Sequence, residues 1–154
     1  MAAGSAKLVC FLLRGQEYAA DIASVVETLA VRPITHVFLT PAWLAGIMNL
    51  RGDVVAVLDL SQMLGMAPTI LTDDSRIVLA RHGGRRAGLL VDGLAELRTA
   101  SLDRLEPAPA TLSPDVARLL AGLITCSPGE VVRVLDLAAL FESESLEALG
   151  GARN

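Results

Sequence analysis

The chain has 154 residues, 53% hydrophobic and only 19% charged, which is one domain or two very small ones and excludes disorder as the default state. A net charge of −4 and 3% aromatic residues exclude the basic footprint of a nucleic-acid binder and a base-stacking platform. Mean hydropathy is high at +0.53, yet no apolar run approaches the roughly 18 residues of a membrane-spanning helix. The surplus of Leu, Ala and Val must lie in an aliphatic core or against another protein.

In chain order, the first seven residues lead into six apolar ones before Arg14, too short for a signal peptide, and the chain reads as cytoplasmic. Residues 7–13 and 17–21 flank Arg14-Gly15-Gln16 at hairpin spacing. A strand over 25–31 stops before Pro33, a helical turn is expected at 41–45, and strands over 46–50 and 53–58 flank Arg51-Gly52. Asp59 is a candidate N-cap for a turn over 60–64. Strands over 76–81 and 85–91 flank Gly83-Gly84, and 94–98 follows Asp92-Gly93. Ser113 can cap a helical turn over 113–120, and Ile124 and 131–135 flank Ser127-Pro128-Gly129. Asp136 can cap the stretch 137–149, the one segment with helical length and period, whose acidic residues serve a capping helix or a contact surface. Cys10 and Cys126 sit in separate apolar runs and read as buried thiols, with a disulfide left open.

An internal repeat organises these strands. Residues 54–60 recur as 131–137 with a single difference, Ala56 against Arg133, and 15–27 can be laid on 84–96. Each half is then one strand-rich unit too small to stand alone, so two barrels sharing an apolar seam are expected.

Catalytic signatures are missing from the sequence. It contains no glycine-rich phosphate loop, nucleophile elbow or zinc-protease motif. His36 and His82 have no second ligand at metal spacing. Asp59 and Asp136 are equivalent in the repeat and read as caps; a small hydrolase using them or His82 is the enzyme alternative. The chain is expected to be a binding module with no catalytic residues, cofactor or metal.

The stretch Pro41-Ala42-Trp43-Leu44-Ala45-Gly46-Ile47-Met48-Asn49-Leu50-Arg51-Gly52, the following apolar strand and Asp59-Leu60 resemble the signature of the CheW family, adaptors of bacterial chemotaxis. Tyr18 to Ile22, Gly88 to Gly93 and Leu119 to Ile124 extend the likeness over about residues 7–142. The resemblance implies an all-β fold of two SH3-like, five-stranded barrels around a shared hydrophobic core, with short helices and a C-terminal helix. The domain would span 7–142, its barrels roughly the two halves, with 143–154 an acidic helical or flexible tail. It also implies a non-enzymatic scaffold coupling the regulatory domain of a CheA-type histidine kinase to the cytoplasmic tips of chemoreceptors. Such a protein is cytoplasmic, recruited to receptor arrays without inserting into the membrane. A CheW-like interaction protein of a specialised system, such as surface motility, that does not itself activate the kinase is the alternative.

By resemblance the receptor-facing residues are Val25, Glu27, Thr28, Asn49, Arg51 and Gly52, in a groove that takes a helical hairpin. Gly83, Gly84, Arg85, Gly88 and Val91 would face the kinase. Arg51 carries a rigid fork of donors suited to a carboxylate, with Glu27 its partner within the protein or a contact across to the receptor. Thr28 departs from the family's apolar residue, and Met48 from its Ile or Val.

Overall fold

The computed structural model describes residues 5–142; the predicted helix over 137–149 therefore lies partly, and the tail 143–154 wholly, outside the described residues. Ten strands form: β1 (Ser5–Leu13), β2 (Gln16–Asp21), β3 (Val25–Ala30), β4 (Leu44–Leu50), β5 (Asp53–Asp59), β6 (Arg76–His82), β7 (Arg85–Val91), β8 (Gly93–Ser101), β9 (Leu120–Ser127) and β10 (Glu130–Leu135). Three short helices, α1 (Leu60–Met63), α2 (Pro114–Ala117) and α3 (Leu137–Phe141), are capped by Asp59, Ser113 and Asp136.

Two five-stranded sheets result, in the orders β8-β1-β2-β10-β9 and β3-β6-β7-β5-β4. The repeat is visible in their register. Val57 pairs in parallel with Gly88, and the repeat equivalents Val134 and Ala19 pair in the same way. The lobes are not the sequence halves, however. Each sheet takes a hairpin from one half and three strands from the other, which corrects the half-by-half assignment. The cause is the parallel pairing of β2 with β10 and β7 with β5, since parallel neighbours need a long crossover and here it passes between lobes. Neither half could therefore bury its strands without the other.

Each sheet is brought round on itself by a bridge between the segment after its first strand and its last strand. Thr35 and Ile47 exchange backbone bonds of 2.8 and 2.9 Å, and Glu106 and Leu123 two of 2.8 Å. Gly46 and Gly122 sit beside these bridges at φ 150° and 156°. A Cβ at Gly46 would lie 2.2 Å from the Thr35 carbonyl oxygen, and one at Gly122 2.3 Å from that of Glu106. Glycine is needed at both.

One apolar cluster fills each lobe: Leu29, Met48, Val55, Val57, Ile77 and Leu79 in one, Leu8, Cys10, Ala19, Ile124 and Val132 in the other. A third, larger cluster joins them through Phe11, Tyr18, Leu58, Leu89, Leu140 and Phe141. The expected shared core is therefore present, with α1 and α3 sealing it. Two local expectations fail. Residues 41–45 make a single turn, closed by Leu44 N–H donating to the Pro41 carbonyl at 3.0 Å, because Leu44 already pairs with Leu58. The helix expected over 113–120 ends at Ala117, because Leu120 opens β9.

The lobe holding both cysteines is pinned by charge. Arg98 on β8 donates to both oxygens of Glu17 on β2 (2.7 and 3.1 Å) and lies 3.6 Å from Glu130 on β10. Arg98 and Glu17 are about one-fifth exposed. The Arg98 guanidinium holds the Glu17 carboxyl below the usual range. A carboxyl depressed in the fold adds stability present above its unfolded value and lost as pH falls through the folded one. Glu17→Gln is therefore expected to cost about 2 kcal/mol at neutral pH and to flatten the acid limb of the stability curve, measured by urea unfolding against pH. Cys10 and Cys126 are free; burial pushes the Cys10 thiol up to about 12, so it stays protonated.

Candidate functional site

The β4–β5 hairpin closes through a two-residue turn in which Arg51 (φ 51°) and Gly52 (φ 91°) are both left-handed. That geometry matches the twist of a hairpin and favours Asn or Gly at its first position. Arginine stands there instead, and the preceding Asn49 supports the turn by accepting the Gly52 N–H at 3.1 Å.

From this turn the Arg51 guanidinium reaches Glu27 on β3 and donates to both carboxylate oxygens at 2.8 Å. β3 and β4 are the two ends of one sheet, so the pair ties the outer strands across its opening. Arg32 adds a second tie, donating to the Asn49 carbonyl at 3.5 Å. Arg86 on β7 pairs with Asp53 at 2.9 Å. The Arg51 bond holds the Glu27 carboxyl below its usual range, with Arg32 and Arg86 acting in the same direction. Three guanidiniums thus face two carboxylates on a face of an otherwise acidic chain.

The pair is open to solvent: the Arg51 side chain is 64% exposed and that of Glu27 29%. Exposed ion pairs of this kind stabilise a fold little. The geometry resolves the alternative left by the sequence, because Glu27 is Arg51's partner within the protein. The guanidinium retains unfilled donors on its exposed side. Thr28 and Asn49 are exposed, Val25 packs half-buried on the shared core, and Val26 and Val54 lie 43% and 59% exposed. Of the six receptor-assigned residues, hydrogen bonds bring Glu27 to Arg51 and Asn49 to Gly52 at this turn, whereas Thr28, next to Glu27 on β3, points to the other side of that strand.

The kinase-assigned residues divide. Gly83 and Gly84 make the β6–β7 turn at φ 58° and 82°, and Arg85 is half-buried beside it. Gly88 and Val91 are interior, Val91 with no exposed surface. A Cβ at Gly88 would lie 2.7 Å from Ile77 Cγ2, so this glycine admits the neighbouring strand. Both are corrected from contact residues to core residues: they point to opposite faces of β7, and both faces are buried there.

Asp59 and Asp136 act as caps. Asp59 accepts from Gln62 N–H at 3.4 Å and binds Thr69 through both its N–H and its hydroxyl (3.0 and 2.9 Å). Asp136 accepts from Ala139 N–H at 3.0 Å. Among the described residues no group of three or more His, Cys, Asp or Glu side chains is placed to hold a metal, and no helix is long and apolar enough to cross a membrane. The Arg98–Glu17–Glu130 and Arg86–Asp53 contacts escaped the sequence reading. Their partners are 32 to 81 residues apart, and only the register, once known, brings them together.

Two curled, pseudo-repeated sheets around a common core, with an exposed arginine fork at a hairpin, define a two-lobed β module. The CheW-like domain family model matches residues 7–145, and the chain belongs to the CheW family. It is 32% identical over 145 residues to a probable chemotaxis protein CheW of Rhizobium etli, covering 94% of this chain and 93% of that protein. It is 23% identical over 140 residues to Protein FrzA of Myxococcus xanthus, covering 91% and 88%. Among solved structures it is similar to the scaffolding protein TtCheW of Thermoanaerobacter tengcongensis (TM-score 0.80, 30% identity, 92% and 90% covered).

Proposed function

We propose that this chain is a non-enzymatic, cytoplasmic adaptor of chemotaxis that couples a CheA-type histidine kinase to the cytoplasmic tips of chemoreceptors in membrane-associated arrays. The single observation that carries the reading is the Arg51–Glu27 fork, held in a left-handed turn and left largely exposed at the position of the family's Asn-Leu-Arg-Gly motif. A bidentate arginine that adds little to the fold is well placed to pair with carboxylates or helix carbonyls of a partner. Val25, Val26 and Val54 supply apolar contact beside it for a receptor helix. The kinase contact is assigned to the β6–β7 turn through Gly83, Gly84 and Arg85. Coupling follows from geometry: separate surfaces hold receptor and kinase, so a receptor shift that favours one kinase state is transmitted through a rigid two-lobed body.

The likeness to FrzA favours a second reading, an interaction protein of a specialised system that does not itself activate the kinase. Gel filtration of the chain with a receptor cytoplasmic fragment and the kinase regulatory domain, separately and together, tests the adaptor. Two binary complexes and one ternary complex are expected. Failure to bind either partner overturns the reading.

A further inference from the structure

The two lobes repeat each other strand for strand, and the repeat exposes a missing partner. β3 and β4 end one sheet, and β8 and β9 end the other. Val25 pairs with Ala80 on the first, and the repeat equivalents Leu94 and Phe11 pair on the second. In both lobes the register shifts immediately beyond this pair, and a glutamate falls at the shift, Glu27 on β3 and Glu96 on β8. Glu27 is answered by Arg51 in the β4–β5 turn. The equivalent position of the β9–β10 turn is Pro128. Proline has no donor and a φ fixed near about −65°, so Gly129 alone is left-handed there, at φ 82°.

Glu96 is exposed and makes no ion pair among the described residues. It lines a cleft of about 430 Å³ on β8 and β9 together with Leu97, Ala100 and Thr125. Arg98 and Arg104 line it as well. Arg98 is bound by Glu17 and Glu130, so three carboxylates stand against two guanidiniums and one negative charge is left over. We propose that this cleft is a binding site for an arginine side chain carried by a protein partner, with Glu96 accepting from its guanidinium. The chain supplies the template: at the equivalent opening of the other lobe both carboxylate oxygens accept from one guanidinium at 2.8 Å. That planar fork cannot be reproduced by the ammonium of lysine. Leu97, 63% exposed, gives the arginine stem apolar contact. The site shares no residue with the surfaces given above to receptor and kinase and does not depend on the adaptor reading.

The test titrates the full-length chain with the blocked peptide acetyl-Gly-Arg-Gly-amide in about 20 mM salt, where screening is weak. Carbon NMR of the side-chain carboxyls of Glu96 and Glu27 is the readout. Glu96 is expected to shift saturably at peptide concentrations on the order of millimolar, whereas Glu27, already held by Arg51, stays in place. The corresponding lysine peptide should bind about fivefold more weakly. In Glu96→Gln the saturable shift of the Thr125 amide signal should vanish. Arg51→Gly vacates the other lobe, and Glu27 should then respond to the peptide as Glu96 does. Equal shifts with the arginine and lysine peptides would reduce the effect to general charge attraction and overturn the proposal. So would a Glu96 response no larger than that of the exposed Asp103, or one given by free arginine but not by the blocked peptide, which would assign the cleft to a small molecule. Neither receptor nor kinase enters the measurement, so this proposal and the adaptor reading fail independently.

Discussion

Replacing Arg51 with glutamate is expected to weaken binding of a receptor cytoplasmic fragment by on the order of 10- to 100-fold, as loss of a hydrogen-bonded charge contact does, while the unfolding transition should change little. The small effect on folding follows from exposure, because the Arg51–Glu27 pair is solvated and hairpin closure depends on backbone conformation. The large effect on binding follows from chemistry. Glutamate removes the donors and sets a second carboxylate beside Glu27, turning a positive fork into a repulsive pair. Arg51→Gly separates the two contributions. Glycine suits φ 51° better than arginine, so this variant should fold at least as well and still lose receptor affinity. Isothermal titration of the three proteins with one receptor fragment reads the difference. A folded Arg51→Glu protein with wild-type affinity would remove Arg51 from the site.

The largest loss of stability is expected at Gly46. Alanine there must place its Cβ 2.2 Å from the Thr35 carbonyl oxygen, a backbone atom that cannot swing aside while it is bonded to Ile47. The bridge closing that sheet has to open, or the irregular register of β4 between Leu44 and Gly46 has to shift. Strain and a lost pair of backbone hydrogen bonds together cost about 3 kcal/mol or more, which at this chain length lowers the melting temperature by roughly 6–12 °C. Gly122→Ala should produce a similar drop at the equivalent point of the other lobe, where the Glu106 carbonyl lies 2.3 Å from the added atom. Gly15→Ala is the contrast, a left-handed turn glycine with nothing within 4 Å of its Cβ, and should cost about 1 kcal/mol. Calorimetry of the three variants decides it; equal losses at Gly46 and Gly15 would mean that the close approach to Thr35 does not exist.

Much of this architecture is legible before any coordinates. Alternation and Gly-containing turns place the strands of the β1–β2, β4–β5 and β6–β7 hairpins to within a few residues, because the buried side of each strand needs an apolar residue at every second position. The caps at Asp59, Ser113 and Asp136 follow from a short polar side chain just before a helical turn. In the sequence β9 is visible only at Ile124, because Ala121, Gly122 and Thr125 break the apolar pattern; it is held by pairing with β10, not by its own propensity. The exchange of strands between lobes leaves no local trace, since parallel pairing is a property of the assembled core.

The site divides in the same manner. Arg51, Gly52 and Asn49 lie in one short motif, and their turn can be anticipated from the sequence. The bond from Arg51 to Glu27 becomes definite only when β3 and β4 are known to be the two ends of one sheet. Likeness to the family draws Gly88 and Val91 into the kinase surface, but β7 is the central strand of its sheet and is covered on both faces, so every residue from Ala87 to Val91 is enclosed.

Kinase autophosphorylation, measured with the receptor cytoplasmic fragment and kinase held fixed while this chain is titrated, tests the coupling claim most directly. Adaptor action predicts receptor-dependent phosphorylation that rises with the chain and is lost with Arg51→Glu. A rate that depends on the receptor to the same degree with or without the chain would contradict it.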